Sequence, residues 1–125
     1  MISVFLSLLF FLLAAACNAC MDKLSFHFHK SIFNNLNPKF WDPSISWKYA
    51  KIIPLTKYKI DAWHLFKSGM VIFLCLSIVF AFKGGVHVYV DHTSIVNKLV
   101  VFTIMGLLWN GGFNLFFNTI LSRNV

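Results

Sequence analysis

The sequence predicts an all-α membrane protein with three transmembrane helices. Three observations carry that expectation. The 125 residues are 58% hydrophobic and only 12% charged, where ordinary soluble domains are about 45–50% and about 25%. Three stretches of membrane-spanning length are almost free of charge. Most of the basic residues gather between the first two of those stretches. Fifteen phenylalanines and a mean hydropathy of +0.73 push the same way. A domain this small has too much surface to hide so much apolar area from water. The composition also excludes a disordered chain, a disulfide-framed secreted domain and a collagen-like repeat.

Each span follows from where charge is missing. Met1 to Met21 has no ionisable side chain except two cysteines. Ala62 to Phe82 carries Lys67 as its one charge, near the start, with His64 beside it. Leu99 to Ser122 is 24 residues without a charge. A hydrocarbon core about 30 Å thick needs about 20 apolar residues at about 1.5 Å each. Lipid offers backbone amides no partner, so these segments are expected to be helical. The predicted helices run near 2–21, 62–82 and 95–120, within one membrane domain, 1–125. The first run has a rival reading as a cleaved signal peptide, with Leu13-Ala14-Ala15-Ala16-Cys17 resembling a lipoprotein cleavage site. No Lys or Arg precedes the run, and Leu13 lies one residue too far from Cys17, so a retained helix is expected.

The connections set orientation. The 40 residues from Asp22 to Asp61 hold Lys23, Lys30, Lys39, Lys48, Lys51, Lys57 and Lys59. The second connection, Lys83 to Ser94, holds only Lys83, and Arg123 follows the third helix. The positive-inside rule makes the long loop cytoplasmic. The N-terminus and the short hairpin are then outside and the C-terminus inside, in the cell's inner membrane. Anionic lipid head groups are the expected neighbours of the basic loop. Its lysines are too dispersed to argue for nucleic acid.

That loop is not a bland linker. It holds Trp41, Trp47, Tyr49, Tyr58, Phe26, Phe28, Phe33 and Phe40, and such residues favour the membrane–water boundary. The first helix is expected to extend to about Asn34, where Asn34-Asn35-Leu36-Asn37-Pro38 stops it. Asp42 with Pro43 reads as a helix start, Pro54 as a break, and Asp61 as the N-cap of the second helix. Gly84-Gly85 permits a tight turn, Val86 to Asp91 alternates as a short extended piece, and Thr93 or Ser94 caps the third helix.

Polar residues inside apolar helices are costly and ask for an explanation. At helical spacing, Asn18, Asp22, Ser25 and His29 form one stripe, as do Asp61, His64 and Ser68. Thr103, Asn110, Asn114 and Asn118 form a third. All three stripes reach the cytoplasmic level of the bundle. One reading is a metal site built from Asp22, His27, Asp61 and His64, a mixed nitrogen and oxygen set suited to Zn, Fe or Mn. The competing reading is a structural network without cofactor, in which the carboxylates cap helices and Asn18, Asn110, Asn114 and Asn118 pack helices together. Cys17 and Cys20 share a helical face, but redox chemistry would want a βαβ setting. His87, Asp91 and His92 are a weaker outer metal candidate. Gly106, Gly111 and Gly112 suit close helix contact or bending. No phosphate-binding loop, dinucleotide fingerprint or Ser/His/Asp motif occurs.

Cys17-Asn18-Ala19-x-Met21-Asp22, Phe26-His27, Asn37-Pro38-Lys39-Phe40-Trp41-Asp42-Pro43-x-x-Ser46-Trp47 and Asp61-Ala62-Trp63-His64-Leu65 together carry a resemblance. Over residues 17–65 the chain resembles a group of small membrane proteins of Bacteroidota-type bacteria and their phages. The resemblance implies a bacterial or phage origin and an uncleaved first helix. It favours His27 over His29, and it transfers no activity. The expected function is that of a small non-enzymatic accessory or interaction subunit, self-associating or bound to another membrane protein. The alternatives are a metal-dependent membrane enzyme acting on lipid, and a holin-like pore former. The long aromatic loop and the barely charged C-terminal tail count against the pore.

Overall fold

A long apolar run without proline or glycine forms the first helix, α1 (Ile2–His27). In the computed structural model, which describes residues 2–49, 51–52, 59–83 and 95–123, a 3₁₀ turn at Phe28–Lys30 tightens its end. The chain leaves the helix at Ser31, earlier than the stop predicted near Asn34. The cause is the Ser31 side chain, which competes with the backbone ladder. Its hydroxyl donates to the Phe28 carbonyl at 2.6 Å and accepts from the Phe33 amide at 3.2 Å. A second 3₁₀ turn follows at Ile32–Asn35.

Two short helices come next, each started by a side chain. Asn37 accepts from the Lys39 amide at 3.1 Å and opens α2 (Pro38–Trp41). Asp42 accepts from the Ser44 amide at 2.9 Å and the Ser44 hydroxyl at 2.7 Å, and opens α3 (Pro43–Tyr49). Both starts place proline at the first helical position, where its missing N–H costs nothing. Strand β1 (Lys51–Ile52) pairs antiparallel with β2 (Lys59–Ile60), Lys51 opposite Ile60. Then come α4 (Ala62–Lys83), α5 (Ile95–Asn114) and a π-helical segment at Leu115–Ile120. Among the described residues the regular structure is helical except for that two-residue pairing and one bridge between Ser31 and Ser122. The break expected at Pro54, the outer hairpin and the caps at Thr93 or Ser94 lie outside the described residues.

Among the described residues two helices are long and apolar enough to cross a membrane, Ile2–Lys30 and Ala62–Lys83, where the sequence predicts three. The third candidate differs from them. Its α-helical part ends at Asn114, its remainder widens into the π form, and the side chains of 95–98 and 101 lie outside the described residues. α4 buries almost nothing: Leu65, Val71, Ile72, Ile78 and Val79 are each half or more exposed, and Phe82 is 83% exposed.

Small residues let the helices meet. Ala14, Ala15, Ala16 and Ala19 form the buried face of α1. A Cβ added at Gly69 of α4 would lie 3.3 Å from Cys17 Sγ, and one at Gly112 of α5 would lie 3.1 Å from Leu12 Cδ2. Gly112 therefore serves close contact as expected, while a Cβ at Gly106 or Gly111 would meet open space. Toward the N-terminal end of α1, Ser7 and Ser77 form a reciprocal clasp. Each hydroxyl donates to the other residue's carbonyl at 2.8 Å. Phe10 stacks beside it on Phe73 and Phe80. Ser7→Ala removes one of these bonds and is expected to cost about 1 kcal/mol of unfolding free energy in mixed micelles. An unchanged unfolding curve would show that the clasp contributes nothing.

The apolar core sits at one end of the bundle, where the long connection returns. Ala19, Cys20 and Leu24 of α1 join Phe28, Phe33, Ala62 and Leu121. Trp41 stacks on Phe33 at 5.0 Å between ring centroids, and Phe66 packs against both. The chain after the π segment is strapped to the turns after α1. The Ile32 amide donates to Leu121 O at 3.1 Å, and the Arg123 amide donates to Lys30 O at 3.0 Å.

Candidate functional site

Asp61 joins the aromatic connection to the start of α4. It is buried, and its carboxylate accepts three hydrogen bonds. Oδ1 takes the His64 amide at 2.9 Å and His64 Nδ1 at 2.8 Å. Oδ2 takes the Ser46 hydroxyl at 3.0 Å, from the buried middle of α3. The bond from the His64 amide is the helix cap that the sequence predicts, and the bond from Ser46 ties α3 to the start of α4. Burial alone pushes the Asp61 carboxyl upward. The bonds from the His64 amide and ring and from Ser46 outweigh it, and the acid lies below its ordinary value. An ionised carboxylate only accepts, so Nδ1 of His64 carries the proton and donates. Nε2 is then presented outward on a side chain that is 52% exposed.

This is an oriented imidazole, and it falls short of a nucleophilic triad. The Ser46 hydroxyl bonds the carboxylate and not the imidazole, so the His64 ring is not placed to take its proton. Nor are the four proposed ligands brought together. His27 lies edge-on against Phe117 of the π segment at 5.4 Å, while His64 is held by Asp61. Among the described residues, no three His, Cys, Asp or Glu side chains are grouped to hold a metal. Cys17, Cys20 and Cys75 are free thiols. His87, Asp91 and His92 lie outside the described residues.

Lys23 is the residue that sequence reasoning misplaces. It reads as one of the loop's surface charges, yet it is 5% exposed. The π segment explains why. There the Leu121 amide reaches back to Phe116 O at 2.8 Å. An α-helical turn would have given that amide to Phe117 O. The freed Phe117 carbonyl instead accepts from Lys23 Nζ at 2.8 Å and from the Ser122 hydroxyl at 2.9 Å. Nζ also donates to Ser122 Oγ at 2.7 Å and lies 4.3 Å from the Phe117 ring centroid. Two oxygens and a ring face thus occupy the three N–H groups of the ammonium. Among the described residues no carboxylate lies within ion-pair distance of it. The signal was spacing: Lys23 continues the four-residue ridge of buried Ala15 and Ala19.

Asn110 and Asn114 of α5 and Asn118 of the π segment form the predicted stripe but point away from the other helices. Asn110, Asn114 and Asn118 are all exposed. Asn110 Nδ2 donates to Gly106 O at 2.9 Å, Asn114 Nδ2 to Asn110 O at 2.9 Å, and Asn118 Nδ2 to Asn114 Oδ1 at 3.1 Å. Thr103 likewise returns its hydroxyl to Leu99 O at 2.8 Å. The expected packing of these three with Asn18 of α1 does not form within one chain. Asn110 and Asn114 each lie two residues from Gly112, hence about 160° around the helix from the face that meets α1. No known protein family, curated protein or solved structure matches this chain.

Proposed function

We propose that the chain is a non-enzymatic integral membrane protein, an accessory or interaction subunit that works by holding a neighbour within the bilayer. The outward asparagine face of α5 carries this reading. Amides turned toward lipid are costly, and in membrane proteins they belong at helix contacts. In this arrangement α1, α4 and α5 with its π-helical end cross the inner membrane three times, N-terminus outside and C-terminus in the cytoplasm. The exposed aliphatic face of α4 suits lipid tails. The aromatic connection lies on the inner leaflet, where exposed Trp47 and Tyr49 alternate with lysines suited to anionic head groups. Lys48 lies over the Trp47 ring at 5.3 Å and Lys39 over the Tyr49 ring at 5.0 Å.

Two measurements test the reading. With the native cysteines replaced by alanine, Lys48→Cys is expected to escape an impermeant maleimide in intact cells and to react after permeabilisation. Labelling of intact cells would reverse the topology. A photo-crosslinker at exposed Leu107, beside the asparagine face, is expected to join the protein to another membrane polypeptide in native membranes. Absence of any adduct would remove the interaction role.

A further inference from the structure

We infer that the occupant of the asparagine face is a second copy of this chain, docked in the same orientation about a two-fold axis along the membrane normal. The inference rests on the interaction reading above and names its partner. The face carries only amides and a hydroxyl, with no formal charge that would select a charged neighbour. An amide group has two N–H donors and a carbonyl with two acceptor sites. Among the described residues, each of Asn110, Asn114 and Asn118 commits one N–H to its own helix. On these exposed side chains that leaves each one N–H and at least one acceptor site beyond those bonds. Such a surface is its own complement.

A parallel two-fold places each asparagine opposite its own copy at the same depth. The amides can then donate and accept reciprocally at three successive levels without adjusting register. An unrelated helix would need a matching ladder at those same three heights. The surroundings suit close approach. Gly106 and Gly111 flank Asn110, and a Cβ at either would meet nothing within 4 Å. The face lies opposite the contact with α1, so a second copy docks without displacing α1 or α4. Both copies share one orientation because the same basic connection fixes the inner side of each.

The test uses the full chain in nanodiscs and in native membranes. Native mass spectrometry is expected to show a dimer. The triple variant N110L/N114L/N118L is expected to raise the dimer dissociation constant about twentyfold, and N110L alone about threefold. These positions are exposed, and leucine favours helix more than asparagine does, so a correctly folded monomer is the expected product of the triple variant. In a chain without native cysteines, Leu107→Cys is expected to form an oxidative cross-link between copies, while Val71→Cys, exposed on α4, is not. A monomer at every concentration, or a dimer unmoved by the triple variant, would overturn the proposal. A Leu107 adduct with a different polypeptide would also overturn it, while leaving the interaction role intact. Loss of all adducts would remove both.

Discussion

Asp61→Ala is expected to cost about 3 kcal/mol, the largest effect of any single side-chain truncation in the connection. It removes the cap of α4, and it strands the buried Ser46 hydroxyl and the His64 ring together. The physical sum is a lost N-cap, worth about 1 kcal/mol, plus bonds to a charged acceptor, worth about 1.5–3 kcal/mol. Asp61→Asn keeps an oxygen for the cap and is expected to cost only about 1 kcal/mol. The two variants separate the roles when unfolding is followed in mixed micelles, with Trp47 and Trp41 fluorescence reporting on the connection. Equal costs would mean that the oxygen kept by asparagine contributes nothing and that loss of the charge accounts for the whole effect.

The same carboxylate predicts an acid limit. Its folded value lies below its ordinary value near 4, because His64 and Ser46 donors favour the charged form. A group held lower in the folded state stabilises above its unfolded value and loses that contribution as pH falls through the folded value. Stability is therefore expected to fall as pH drops below about 4, and Asp61→Asn is expected to flatten that slope. A slope unchanged by the substitution would assign it to another carboxylate.

Lys23→Ala is the second large effect, expected at about 3 kcal/mol. It removes two hydrogen bonds from a charged donor and leaves space between α1 and the π segment. Lys23→Met fills much of that space without the donors and is expected to cost about half as much. If the π form persists only because Lys23 caps its freed carbonyl, both variants should let the helix rewind. The Leu121 amide would then return to Phe117 O, and the strap to Ile32 would shift. Hydrogen exchange at Leu121 and Ile32 reads that directly. Unchanged protection in both variants would show that Leu121 and Ser122 hold the π form alone.

The sequence made the elements legible because they depend on near neighbours. Charge-free runs marked where α1, α4 and α5 lie, although α1 runs past its charge-free run to His27 and α5 gives way to the π form after Asn114. Asp42 and Asp61 were readable as caps because a cap acts two or three residues away. What resisted reading depends on distant chain. Ser46 meets Asp61 only after the connection folds back. Lys23 is buried only because a carbonyl in another helix has lost its usual donor. The asparagine stripe was visible as a spacing, but spacing cannot say which way a stripe faces. Its direction follows from Gly112 and Trp109 turning the opposite side of α5 toward α1, where Trp109 meets Phe11 at 5.4 Å. The earlier end of α1 has the same character, since a serine at Ser31 can continue a helix or interrupt it.

The one-ended core imposes an order on biogenesis. Leu121 completes the cluster that Leu24 and Phe28 begin, and it follows α5 in the chain. During synthesis α1 and α4 can meet through Ser7 and Ser77 while that cluster is still open. The aromatic connection cannot close that cluster until the residues after α5 have been made. Closure then depends on Leu121 being brought to the end of α1 where Leu24 and Phe28 stand. A chain that lacks its last residues would leave the aromatic end of the bundle open, with Leu24 and Phe28 uncovered on the side that Leu121 fills.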